Sequence, residues 1–167
     1  MSERVALVSI AAESRGKTMT PLRAGNTLLI VEDDVLIATA LKGELEDAGY
    51  QVLDLTDRIA DALEVAQGSP PNLALVNIQL AHGDDGVELA EALKILDIPV
   101  LLISGQVSRA RSASTVAIAS LPKPYDAADM VLAVDYLLAR LQGHIAPPKP
   151  NGLEVFDEVG SEFATAT

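Results

Sequence analysis

Five short apolar runs alternate along this chain with stretches of helical periodicity, and that alternation limits the fold more than any other feature. Thr27-Leu28-Leu29-Ile30-Val31 is continuously apolar rather than alternating, the pattern of a strand covered on both faces. Tyr50 to Leu55, Asn72 to Leu80, Ile98 to Ile103 and Ala117 to Leu121 supply four more strands. Between them, Ile37, Leu41 and Leu45 recur at i, i+4, i+8 and end at Gly49, a left-handed helix stop. Asp57 is placed to cap a second helix with apolar positions Ile59, Ala62, Leu63 and Ala66, and Val87, Ala90 and Leu93 mark a third. Gln106 to Val116 carries only a weak stripe and reads as a short helix. Met130, Val134, Leu138 and Leu141 form the face of a last one, with Asp126 and Asp129 in the positions of a capping box. Strands and helices alternating with crossovers of this length give an α/β fold: a parallel sheet with helices on both faces.

The chain has 167 residues, 49% of them hydrophobic, which suits one domain with a full core. Residues 1–26 lack periodicity and read as a flexible extension, 27–141 as the domain, and 142–167, with Pro147-Pro148-Lys149-Pro150 and an acidic end, as a flexible tail. A net charge of −12 argues against nucleic acid and anionic membrane as partners, because both polyanions would repel it. With no cysteine, disulfides and thiolate metal sites are excluded. No apolar run has the length of a membrane span, and Val5 to Ala12 behind Arg4 is too short, and too interrupted by Ser9, for a convincing signal sequence; a cytoplasmic protein is expected.

Parallel sheets hold their chemistry in the crevice outside the carboxyl ends of the strands. The residues there are Glu32 and Asp33 after the first strand, Asn77 at the third, Ser104 after the fourth and Lys123 after the fifth. Adjacent carboxylates repel unless a cation intervenes, and hard oxygens of this kind suit Mg²⁺, while a lysine and a hydroxyl suit an oxyanion such as a phosphoryl group. Taken singly, each has a plainer reading. The acids could cap a helix, Asn77 could pair with Lys123 or a backbone group, and Ser104 and Lys123 could simply be solvated. Asp84 and Asp85 read as a solvated loop, and His82 and His144 as surface residues. No glycine-rich phosphate loop and no nucleophile with a neighbouring base is present.

Val31-Glu32-Asp33-Asp34, the Leu-Val-Asn-Ile strand, Leu102-Ile103-Ser104-Gly105 and Lys123-Pro124-Tyr125 together resemble the receiver domain of two-component response regulators, over roughly residues 27 to 141. The resemblance implies a flavodoxin-like doubly wound sheet of five parallel strands in the order 2-1-3-4-5. By similarity, Glu32 and Asp33 would bind Mg²⁺, the third-strand position would take a phosphoryl group from a kinase phosphohistidine, Ser104 would be the switch hydroxyl and Lys123 its cationic partner. The Lys123-Pro124 bond is often cis in this family.

Three departures qualify that picture. Asn77 occupies the phospho-acceptor position, and an amide is a poor nucleophile. Ser120 stands three residues before Lys123, where many receivers carry an aromatic side chain. Only eighteen residues separate Ser104 from Lys123, a shortened fourth-helix region that resembles an alphaproteobacterial receiver subgroup, although Ile103-Ser104-Gly105-Gln106 lacks that subgroup's aromatic. The resulting expectation is a stand-alone, non-enzymatic receiver-like module of a phosphorelay that acts by protein contact, with Mg²⁺ bound weakly at Glu32 and Asp33. Expected partners are a histidine kinase, a phosphotransfer protein or a second copy of the chain. The alternatives are a phosphorylatable regulator bearing an Asp-to-Asn change at 77 and, from another class, a small phosphatase or phosphotransferase on the same fold.

Overall fold

The structure is a computed structural model and describes residues 23–156. Most of the expected N-terminal extension, the Val5–Ala12 patch included, and the end of the acidic tail lie outside the described residues. Strands β1 (Thr27–Val31), β2 (Gln51–Thr56), β3 (Leu73–Asn77), β4 (Val100–Ser104) and β5 (Ala119–Pro122) alternate with helices α1 (Val35–Asp47), α2 (Ile59–Gly68), α3 (Gly86–Ile95), α4 (Val107–Ser112) and α5 (Ala127–Leu141). The sheet order is β2-β1-β3-β4-β5-β6, parallel through β5, with a short sixth strand, β6 (Glu154–Val155), antiparallel at the edge.

Continuous apolarity in the inner strands follows from two-sided cover. Leu28 and Ile30 enter one core layer with Leu41, Leu45, Met130, Val134 and Leu138. Their neighbours Leu29 and Val31 enter the other, with Ala62, Ala66, Leu89, Ala90 and Leu93. Successive side chains of a strand point to opposite faces, so both must be apolar when helices cover both. Helix α1 stops where expected: Gly49 sits at φ 108°, its N–H donates to Glu46 O, and Tyr50 N–H donates to Leu45 O, a Schellman closure. The buried face of α1 is Ala38, Leu41 and Leu45, whereas Ile37 is partly exposed.

Several local expectations are corrected. Arg23 is not part of a loose extension: its guanidinium makes a bidentate pair with the buried Asp135 of α5, at 3.0 and 2.7 Å. Tyr50 donates its hydroxyl to the same carboxylate at 2.5 Å. Asp57 does not cap α2; the Ile59 N–H donates instead to Asp84 Oδ2 at 2.9 Å. Asp126 occupies the N-cap of α5 but makes no side-chain capping bond.

The largest correction concerns the tail. Residues 153–156 lie along the free edge of β5, with Val155 opposite Ala119 and Glu154 opposite Ser120. Leu153 joins one core layer and Phe156 the other. Burial of two large apolar side chains outweighs the acidic character that made the segment read as solvated.

Candidate functional site

The carboxyl ends of β1, β3, β4 and β5 converge on one crevice, because parallel pairing aligns them: Val31 lies beside Val76, Asn77 beside Ile103, and Ser104 beside Pro122. Asp34, not Glu32 or Asp33, caps α1, accepting from Leu36 and Ile37 N–H at 2.9 and 3.2 Å. That leaves the two preceding acids to face the crevice.

Glu32 is almost fully buried and lies 3.5 Å from Lys123 Nζ, with Oε1 accepting from Asp34 N–H at 3.3 Å. Burial holds its carboxyl above the usual range, opposed by the Lys123 charge and by the backbone hydrogen bond. The Lys123–Pro124 peptide bond is cis. Ser104 Oγ accepts from Gln106 N–H at 2.8 Å, a local turn that fixes the hydroxyl at the end of β4.

Asn77, 6% exposed, spends its amide group on two acceptors: Nδ2 donates to Gln79 O at 2.7 Å and to Asp33 Oδ1 at 3.2 Å. Two acceptors on one nitrogen fix the orientation of the amide. Of the partners suggested by the sequence, the local backbone group is found, as Gln79 O, whereas Lys123 pairs with Glu32 instead; the bond to Asp33 in addition bridges the β1 and β3 strand ends. The donor set is thin for a divalent cation. Glu32 faces a lysine, Asp33 accepts from a neutral amide, and among the described residues no group of three carboxylates or imidazoles converges.

The loop after β3 is more structured than its composition suggested. Asp84 caps α2 as described above. Asp85 Oδ1 accepts from Val87 N–H at 2.9 Å, capping α3, while Oδ2 pairs with Arg109 of α4. An aspartate directly before a helical pattern is an N-cap signal that could have placed Asp85; nothing local marks Asp84 or Arg109. Gly86 passes so close to β3 that a Cβ there would meet Asn77 O and approach Ile78 Cα to 2.8 Å, so the acceptor position and the start of α3 are packed against each other. His82 sits at φ 61° in the same loop and makes no ion pair among the described residues.

Beside the crevice, a groove of about 560 Å³ runs between α1 and the β5–α5 loop, lined by Ile37, Ala40, Leu41, Lys123, Pro124 and Tyr125 among others. Val35 and Leu36, 74% and 82% exposed, stand on the adjoining turn of α1. Burial, with the Glu32 charge nearby, raises the Tyr125 phenol above its ordinary value.

Comparison with known proteins agrees with this geometry. Residues 28–135 match the response regulator receiver domain family. The photosynthetic apparatus regulatory protein RegA of Cereibacter sphaeroides is 31% identical over 143 residues, covering 83% of this chain and 74% of RegA. The phyllosphere-induced regulator PhyR of Methylorubrum extorquens is 34% identical over 84 residues, 49% of this chain and 32% of PhyR. The transcriptional regulatory protein PdtaR of Mycobacterium tuberculosis is 30% identical over 131 residues, 71% of this chain and 62% of PdtaR. The chain thus spans about a third of PhyR and less than two thirds of PdtaR. Among solved structures, a CheY-like response regulator receiver domain protein of Methanospirillum hungatei superposes with a TM-score of 0.65 at 26% identity, covering 71% of this chain and 97% of that one. A response regulator from Chloroflexus aurantiacus gives 0.62 at 28% identity, covering 68% and 98%. With the family matched across most of the core and the sheet order shared, this chain belongs to the response regulator receiver domain family.

Proposed function

We propose that this receiver works as a module of a bacterial two-component phosphorelay by protein contact, without ordinary aspartyl phosphorylation. The observation that carries the reading is Asn77 itself: a neutral amide at the acceptor position, its nitrogen already donating to Asp33 and to Gln79 O. An amide has no ionised form with which to attack a phosphohistidine, and it carries neither the charge nor the oxygens of a phosphoryl group. The surrounding groups, Glu32, Asp33, Ser104 and Lys123, keep the positions of a phosphorylation cleft without the group that would receive the phosphoryl.

Contact is proposed at the α1 groove. Val35 and Leu36 are exposed apolar residues beside a groove with an apolar floor, a combination suited to an amphipathic helix of a histidine kinase or phosphotransfer protein. Mg²⁺ would be held by Glu32 and Asp33, and weakly, since Asn77 contributes no charge. No catalysis is assigned to this site.

Incubation with acetyl phosphate or beryllofluoride and Mg²⁺, followed by intact-mass spectrometry and NMR, tests the reading. The expected result is no adduct and no saturable shift at Ser104 or Lys123. An acyl phosphate on this sequence would overturn it.

A further inference from the structure

We propose that the space between α4 and the β5–β6 edge is a binding site for a small uncharged ligand, a single ring carrying one hydroxyl. The local sequence creates the space. Helix α4 is only six residues long, and Ala110 is its one buried side chain. On the sheet beneath it, Ser120 lies beside Leu102 and Pro122 beside Ser104, and Leu102 belongs to the same core layer as Ala110, so both serines turn to the α4 face. Alanine facing serine does not fill the distance between a helix and the sheet it covers, and a cavity of about 150 Å³ remains. Val107 and Ala110 form its roof, Leu121 and Pro122 part of its floor, and Gly152 and Glu154 of β6 its outer wall.

The polar demand in this cavity falls on one group. Ser120 is 5% exposed and lines the cavity, yet its hydroxyl has no hydrogen-bond partner among the described residues. Buried polar groups are almost always paired, and a hydroxyl left open toward a void marks the place of a bound partner. Ser104 differs, since its Oγ already accepts from Gln106 N–H at 2.8 Å. The charges at the rim are spent on each other: Arg111 Nε donates to both Glu154 oxygens at 3.0 Å. An ion entering the cavity would lose its hydration without a compensating charge, and an anion would also meet the chain's net charge of −12.

Size narrows the class further. An apolar cavity of about this volume accepts benzene, so one six-membered ring fits between the α4 roof and the sheet. Its hydroxyl would both donate to and accept from Ser120 Oγ. Ordered water is the competing occupant; it would satisfy Ser120 but gain nothing from Val107, Ala110 and Leu121. Of the crevice groups only Ser104 reaches this cavity, so a bound ring would pack behind that hydroxyl and hold β6 against the sheet. Residue 77 plays no part in the site.

Phenol is the probe. Titrated into the full-length ¹⁵N-labelled chain at neutral pH, it should give saturable amide shifts around Ser104, Ala110, Ser120 and Gly152 that fit a single Kd. Toluene with the parent chain, and phenol with Ser120→Ala, should each bind roughly three- to tenfold more weakly, the worth of one hydrogen bond. Benzoate should give no saturable shift. Ala110→Leu, which fills the cavity from a helical position, should lose phenol binding while its urea midpoint stays at or above that of the parent. Should that chain fail to fold, Ser120→Ala, which only removes the hydroxyl, carries the comparison. Absence of a saturable phenol shift, meaning water alone, would overturn the proposal, as would shifts centred elsewhere or undiminished binding to a folded Ala110→Leu chain. Equal binding of phenol and toluene, or of phenol to Ser120→Ala and the parent, would overturn the role of the hydroxyl, and benzoate binding as tightly as phenol would overturn the uncharged class.

Discussion

Replacing Asn77 by Asp barely changes the side chain's size but inverts the hydrogen bonding of the crevice. The amide nitrogen now donates to Gln79 O at 2.7 Å and Asp33 Oδ1 at 3.2 Å. A carboxylate oxygen in its place would face two acceptors, one of them charged. A neutral hydrogen bond contributes about 0.5–1.5 kcal/mol and one to a charged group about 1.5–3 kcal/mol, so losing both costs on the order of 2–4 kcal/mol before repulsion from Asp33 is counted. In a chain of this size that lowers Tm by roughly 5–12 °C. Repulsion raises the proton affinity of the paired carboxylates in the folded state. The new carboxylate pair would then keep a shared proton to a higher pH than separate carboxylates do, and the stability that proton preserves is lost as pH rises. A cation between the carboxylates would offset the loss, by about 2.7 kcal/mol at a hundredfold excess over its Kd. Urea unfolding followed by circular dichroism, at pH 4 and pH 7 with and without Mg²⁺, measures each contribution. The N77D chain should be less stable at pH 7 without Mg²⁺, closer to the parent at pH 4, and rescued by Mg²⁺ that leaves the parent unchanged. Equal stability of the two chains at pH 7 without cation, or equal Mg²⁺ stabilisation of both, would refute this account of what the amide does.

Other perturbations probe the same framework. Gly86→Ala forces a Cβ onto the β3 backbone and should cost about 3 kcal/mol, read by urea unfolding, with NMR shifts concentrated at Asn77 and Ile78. Arg23→Ala leaves the Asp135 carboxylate buried with only the Tyr50 hydroxyl as partner, and should destabilise by about 3 kcal/mol in the same assay. For Glu32, whose folded pKa is raised, the neutral form is the favoured one: its contribution is full below the unfolded carboxylate value and lost as pH rises through the folded value. Glu32→Gln should therefore gain stability relative to the parent between pH 4 and pH 7, and a flat difference across that window would contradict the assignment of burial as the dominant cause. Leu36→Asp, at an exposed position on α1, should leave the unfolding midpoint nearly unchanged while weakening partner binding at least tenfold by calorimetry.

How much of this was legible in the sequence depended on how local the cause was. Inner strands such as Leu28–Val31 and Leu73–Val76 announce themselves because two-sided burial removes every polar position. The crevice residues were findable because a parallel sheet fixes where strand ends lie. Gly49 was readable too, since a helix stop is a matter of one backbone conformation. The cap on α2 was not, because its carboxylate, Asp84, comes from a loop 25 residues away while Asp57 sat invitingly next door. Leu153 and Phe156 were missed for a related reason: their strand is too short for a periodic signal, and its stability comes from sockets formed by distant residues. Nothing in the local sequence marks Asp135, because its partners Arg23 and Tyr50 come from distant segments.

One consequence of the loop after β3 concerns correlated motion. Two adjacent side chains hold the N-terminal turns of α2 and α3 and, through Arg109, the body of α4. Three helices that already share one core layer are thus also tied together at a two-residue polar junction. A displacement of α4 must either break the Arg109–Asp85 pair or pull on the α3 cap, and through the intervening peptide on the α2 cap as well. Their first turns should therefore open to solvent exchange together, as one vibrating frame hinged at Asp84 and Asp85, rather than fraying helix by helix.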